Sequence, residues 1–258
     1  MAKYLTEFNT YAEYSAATLN LPNVSLIKST GKVYYKNIFA GASLGDILMW
    51  DNVNNKLVTT IGGNWSTELF PIAQYEPIAI NVYPASQASD GKSRYMAIRW
   101  ASNTSDTGST SSVLLMWGAN NSTTVGDITS TDQTALNGSE NTDKALALSD
   151  GTTANTQAAF AAFAAVNRFR TNGTNQGDWY LPSKGELSLY QSNYDDINAK
   201  ITAIKNASNS IVNTVNEHQW SSTEGLEINT SWEMRNSGSW LGYFDRQSQI
   251  GVRGMIAL

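Results

Sequence analysis

Residues Gly177 to Glu186 read G-D-W-Y-L-P-S-K-G-E, and Leu187, Tyr190, Tyr194, Ile197, Ile201 and Ile204 follow them. Pro182 precedes Ser183, and Ser183-x-x-Glu186 fits a capping box, in which the serine side chain and the glutamate side chain satisfy each other's backbone N–H groups. The apolar positions then recur at alternating three- and four-residue steps, which predicts one helix with a single apolar face. Upstream, Phe160, Phe163, Val166 and Phe169 recur every three residues among the alanines at 158, 159, 161, 162, 164 and 165. Asn155 is a suitable cap for that helix, which ends near Asn172-Gly173, and its alanines allow a sheet to approach closely.

Around these helices the chain reads as strands. Val24–Ile27 and Lys32–Tyr35 flank a Lys-Ser-Thr-Gly turn, and Gly45–Trp50 and Lys56–Thr60 flank an Asn-rich one, so two hairpins are expected. Pro77–Tyr83, Arg94–Trp100 and Val113–Trp117 are further strands, and Ile250, Val252, Gly254, Ile256 and Leu258 alternate as a last one with a single buried face. Tyr4, Leu5, Phe8, Tyr11 and Tyr14 suit a short N-terminal helix with an aromatic face. From Asn120 to Asn155 the chain is Ser, Thr, Asn, Asp and Gly with few large apolar residues, and is expected to be a long loop. The fold class is therefore α+β, two helices packed on antiparallel strands. A small β-rich module over residues 1–74 precedes the main domain at 75–258.

The composition narrows the chemistry. The net charge is -5 with 17 Lys and Arg, so a phosphate-neutralising surface for nucleic acid is not expected. With no cysteine there is no disulfide, thiolate metal site or cysteine nucleophile. No stretch approaches the roughly 18 apolar residues of a membrane span, and Met1 to Asn9 lacks the apolar core of a secretory signal.

Catalysis has little to stand on. His218 is the one histidine and no G-x-S-x-G elbow accompanies it. Asp195 and Asp196 are neighbours on a helix and diverge by about 100°. Nothing in the spacing of Glu224, Glu227 and Glu233 singles out an acid and base pair. Asp127, Asp132, Glu140 and Asp143 are scattered oxygen donors for an ion, and neither sugar-lectin triplet, Glu-Pro-Asn or Trp-Asn-Asp, occurs. No catalytic residue, metal or cofactor is assigned. By contrast, residues 225–250 are dense in Trp, Tyr, Asn, Ser and Arg. These residues build recognition surfaces, because aromatic rings bring large area at low entropy cost and the polar groups add adaptable hydrogen bonds.

Asp178, Trp179, Leu181, Pro182, Ser183, Glu186 and Leu187, then Trp220-Ser-Ser-Thr-Glu224, then Val252-Arg253, form an ordered set. It resembles the C-type-lectin-like domain of bacterial surface proteins and phage receptor-binding proteins, also called the Fibrobacter major paralogous domain. The opening L-P-N-V-S-L and T-G-K-V-Y-Y segments are similar to the N-terminal part of Bacteroidales and phage-encoded proteins that carry this domain. The resemblance implies a C-type-lectin-like fold whose ligand-binding face comes from the stretch before the last strand. Carried over by position, the ligand-binding candidates are Glu227, Asn229, Arg235, Asn236, Ser239, Trp240, Tyr243, Asp245, Arg246 and Gln247, with Trp232 a further candidate. Alternation must bury some of this stretch, and Trp232, Met234 and Phe244 are the core choices. Trp179 and Trp220 are expected in the core, and Arg253 is expected to point outward or to pair with Glu186 or Glu224.

The implied protein is a phage virion component, a head fibre or tail-associated receptor-binding protein. It would be made in the host cytoplasm and displayed on the particle exterior, with virion proteins bound through residues 1–74. It would adhere to a bacterial surface glycan or protein as a homodimer or homotrimer, without nucleic acid or membrane insertion. A bacterial surface adhesin or lipoprotein of the same fold is the alternative, and a glycan-active enzyme a more remote one.

Overall fold

The computed structural model describes residues 5–8, 24–27, 32–35, 42–60, 65–118, 125–148, 160–208, 218–235 and 240–258. The strands are β1 (Leu5–Phe8), β2 (Val24–Ile27), β3 (Lys32–Tyr35), β4 (Ile47–Asp51), β5 (Lys56–Thr59), β6 (Tyr75–Tyr83), β7 (Arg94–Ala97) and β8 (Leu115–Met116). After the helices come β9 (Gln219–Glu224), β10 (Thr230–Met234), β11 (Trp240–Asp245), β12 (Gln249–Ile250) and β13 (Met255–Ala257). The helices are α1 (Gly138–Ala147), α2 (Ala161–Arg168), α3 (Lys184–Ser192) and α4 (Tyr194–Ala207). The protein is mixed α+β.

A five-stranded sheet in the order β13-β7-β6-β4-β5, antiparallel at every pairing, is the scaffold. It is buried on both sides. Leu48, Tyr95 and Ala97 face a cluster that contains α2, Trp117, Trp179 and Trp220. Ile47, Met49, Ile80 and Met96 face a second cluster against Leu187, Tyr190, Ile197, Ile201 and Ile204 of α3 and α4. This double covering corrects the division at residue 74: β4 pairs with β6 from Ile47↔Ile80 to Asp51↔Tyr75, so one sheet crosses that boundary. The physical reason is that Ile47, Leu48 and Met49 are all fully buried, which a small module with one wet face cannot provide.

The first hairpin forms as β2 and β3. Leu5–Phe8, expected in a helix, is instead a strand lying parallel to β2, because the ladder that β2 offers outweighs a weak local helical spacing; residues 9–23 lie outside the described ones. The capping box at Ser183 and Glu186 forms as read. The apolar face beyond it is shared by two helices, for Asn193 leaves the helical region at φ -124, ψ 23 and its Nδ2 donates to Leu189 O. The proposed cap Asn155 lies outside the described residues, and α2 begins after Phe160.

Two further corrections concern the polar loop and the C-terminus. The stretch expected to be loop contains α1, a helix whose inward residues are Gly138, Asn141, Thr142 and Ala145. No apolar stripe marks it in the sequence because it docks through polar contacts: Asn141 Nδ2 donates to Ser222 Oγ and Leu181 N–H to Thr142 Oγ1. The last alternating segment is not one strand. β12 pairs with β8 and β13 with β7 in a different sheet, and residues 250–256 are buried on both faces.

Candidate functional site

The sheet β11-β10-β9 and the connections at its ends carry the predicted ligand residues that are described. Its β9 strand, Gln219–Glu224, is buried along its whole length, and both cross-strand ladders shift register between Ser231 and Glu233. At one end two connections lie side by side. Asn229 turns the chain with φ +61, a conformation that asparagine tolerates better than most residues. Its carbonyl accepts from Arg246 N–H at 3.1 Å.

Beneath these connections Arg246 Nη2 forms an ion pair with Glu224 Oε1, and both side chains are sealed from solvent. Arg246 Nε donates to Thr230 O at 3.2 Å, and the guanidinium lies 4.7 Å from the Trp117 ring centre. Glu224 also accepts from Thr129 N–H at 3.3 Å, and its own N–H donates to Ser130 O. Burial pushes the Glu224 carboxyl above its usual range and the Arg246 guanidinium below its own, while their mutual attraction opposes both shifts. Three chain segments are thus fixed around one buried pair. Above it stand exposed Glu227, Asp245 and Gln247, with Leu226 at 47% and Ile228 at 52% exposure.

At the opposite end of the sheet His218 Nδ1 meets the Glu233 carboxylate, and Arg235 Nε lies 3.4 Å from it. Glu233 is sealed, whereas His218 and Arg235 are partly exposed. Desolvation raises the Glu233 carboxyl, and the charges of His218 and Arg235 act against it. Arg235 also lies over the Phe244 ring at 5.6 Å, and Phe244 meets Trp220 edge-on at 5.9 Å.

The structure therefore brings Glu227, Asp245 and Gln247 together and leaves Asn229 half-buried in their turn. Arg235 belongs to the other end. Arg246 is a correction: fully buried beneath the loops, it is a support of the surface and no part of its outer face. Asn236 and Ser239 lie outside the described residues, as do the side chains of Trp240 and Tyr243 within β11. Met234 is in the core, Phe244 is partly buried, and Trp232 is partly buried under Lys184 Nζ at 4.3 Å. Trp179 and Trp220 are in the core. Leu226 and Ile228 are not among the sequence-derived candidates, although two apolar residues in a Gly-Leu-Glu-Ile-Asn turn are a readable signal.

Arg253 points neither outward nor to the expected acids. It is fully buried with its guanidinium 4.3 Å from the Trp100 ring centre. Glu224 is taken by Arg246, and Glu186 by Arg94, Tyr180, Ser183 and Gly138. Of the scattered acids, Asp132 caps a local turn by accepting from Thr134 and Ala135 N–H. Among the described residues no group of three His, Asp or Glu side chains is arranged to hold a metal ion.

No protein-family model matches the chain, and no curated protein matches it. A crystal structure of a fimbrial protein from Bacteroides ovatus is similar in fold, with a TM-score of 0.50 and 15% sequence identity. The likeness covers 84% of this chain and 49% of that one, so this chain spans about half the length of that protein.

Proposed function

We propose that this chain is a non-enzymatic adhesion module carried on the outside of a bacterial cell, which recognises a surface ligand through the loop end of β9–β11. One observation carries the reading: two connections with exposed apolar and polar side chains are locked to a rigid sheet by the sealed Glu224–Arg246 pair. Binding residues on loops held by a rigid scaffold lose little freedom on association, which is how recognition surfaces retain affinity. The buried acids nearby, Glu224 and Glu233, are engaged by structural partners, Arg246 for the first and His218 and Arg235 for the second.

The finer fold reading is a C-type-lectin-like domain, supported by the realised capping box and by helices that precede the terminal three-stranded sheet. The fimbrial neighbour favours a cell-surface adhesin over a phage head fibre, a reading that rests on the sequence resemblance alone. In this account β1–β3 belong to the attachment or self-association region. The test is adhesion of the purified chain to intact bacteria, compared with a Leu226→Ser, Ile228→Ser, Gln247→Ala variant. Saturable adhesion that the variant loses is the expected result; equal adhesion by both proteins would remove the loop end from the reading.

A further inference from the structure

A cleft of about 440 Å³ opens alongside the same sheet, where His218 ahead of β9, Phe244 in β11 and the residues before β8 meet the chain at β12. That size lies in the ordinary range for small-ligand sites. Its lining includes Ser112, Leu114, His218, Phe244, Gln249 and Gly251, and among the described residues it contains no Lys, Arg, Asp or Glu.

Each lining group has a definite character. Leu114 is 54% exposed, a large apolar side chain left open at the cleft. Phe244 supplies a half-buried aromatic wall. The Glu233 carboxylate engages His218 Nδ1, which sets the ring orientation and leaves Nε2 as the nitrogen available to the cleft. Among the described residues Ser112 Oγ has no hydrogen-bond partner although it is shielded from solvent. Gly251 forms part of the floor, where a Cβ would come within 2.7 Å of the Trp100 ring, 2.9 Å of His218 O and 3.0 Å of Ser112 Oγ.

The chemistry of the occupant follows by comparison of costs. A phosphorylated or sulfated ligand would need Lys or Arg side chains that the described lining lacks, and a metal ion would need carboxylates that it also lacks. A purely aliphatic ligand would cover the Gln249 amide and the imidazole nitrogen without bonding them, at a cost for each buried polar group. A ring with one apolar face and several hydroxyls at its edge satisfies both halves of the lining. We propose that this cleft binds a single uncharged pyranose unit of a glycan, its apolar face on Phe244 and Leu114 and its hydroxyls on His218 and Gln249. The proposal deepens the surface-recognition reading and rests on it for the source of the glycan, but its lining shares no residue with the exposed Leu226, Glu227, Ile228, Asp245 and Gln247 of the loop end.

The chain has one histidine, so a single imidazole signal in a proton NMR spectrum reports on the cleft directly. The full chain is titrated with neutral methyl hexosides and N-acetylhexosaminides and, for contrast, with hexuronates. The expected result is a saturable shift of the His218 signal by at least one neutral sugar, with a Kd on the order of 1 mM. Leu114→Glu and Gln249→Ala should each weaken it by about tenfold or more while the melting temperature holds, since both side chains are exposed. The Leu226→Ser, Ile228→Ser loop variant should bind the sugar unchanged. No saturable shift with any sugar would overturn the proposal, as would equal affinity in both cleft variants or preference for a hexuronate over its neutral parent. Cell adhesion measured on the same proteins separates the two readings. A sugar shift in a protein that adheres to no cell supports the cleft and counts against the surface role; adhesion without any sugar shift overturns the cleft and leaves that role standing.

Discussion

Glu186 and Glu224 are both sealed inside the protein, and burial pushes both carboxyls above their usual range, yet they are held in different ways. Glu186 draws its closest partners from the chain beside it. Its carboxylate accepts from Ser183 N–H at 2.9 Å and Tyr180 OH at 2.9 Å, with Gly138 N–H at 3.2 Å and Arg94 Nε at 3.4 Å completing the shell. Glu224 relies on Arg246, across the sheet and a loop away, with Thr129 N–H in addition. The first acid starts a helix; the second ties the display loops to the core. A buried charge with many neutral donors survives the loss of one, whereas a charge balanced by one cation does not.

The largest effect should come from breaking the second arrangement. Arg246→Ala leaves Glu224 sealed without its cation and should destabilise by about 3–5 kcal/mol in chemical denaturation. An Arg246→Met, Glu224→Leu double variant should cost less than Arg246→Ala alone, because it removes both charges; a larger cost would show that the pair's contact with Trp117 and Thr230 matters more than its charge. On the Glu186 side, Gly138→Ala brings a Cβ to 2.4 Å from Glu186 Oε2 and 2.7 Å from Leu181 O, and overpacking there should cost about 1–3 kcal/mol. Ser183→Ala removes the cap and should cost about 1 kcal/mol by the same measurement, since the remaining donors still hold the carboxylate.

Asp90 sharpens the comparison from the rim. Arg94 beside it, chiefly through a side-chain hydrogen bond, holds its carboxyl below the usual range. A lowered carboxyl contributes stability above its unfolded pKa and loses it as pH falls through the folded one. Asp90 is 44% exposed, so the melting difference between the native chain and Asp90→Asn should correspond to less than about 1 kcal/mol at neutral pH. It should vanish as the pH drops below the ordinary carboxylate range. The smallest effect on stability belongs to the display surface: Leu226→Ser with Ile228→Ser should change denaturation by no more than about 0.5 kcal/mol while abolishing adhesion.

Several elements were legible because their determinants are local. The start of α3 is written in Ser183 and Glu186, three residues apart, and the β2–β3 and β4–β5 hairpins are written in their turns. The inward faces of α3 and α4 follow from spacing, but the break at Asn193 does not, because the same apolar period continues through it. α1 was hidden because its inward face is Gly, Asn, Thr and Ala, whose partners, Ser222 and Leu181, are far along the chain. Of the ligand candidates, exposure at Glu227, Asp245 and Gln247 matches a loop-rich reading, whereas Arg246 looked like its exposed neighbours and was taken inward by an acid on another strand.

The sequence by itself determined that the protein is a cysteine-free α+β chain whose capped helix precedes a polar, aromatic-rich terminal region, since composition, caps and turns act over a few residues. Only the tertiary structure decided that β4 and β5 join the main sheet, that Arg253 is buried against Trp100, and that Glu224 takes Arg246 as its partner. Those outcomes depend on which distant surfaces exclude water from one another, and an isolated segment of chain carries no record of what will cover it.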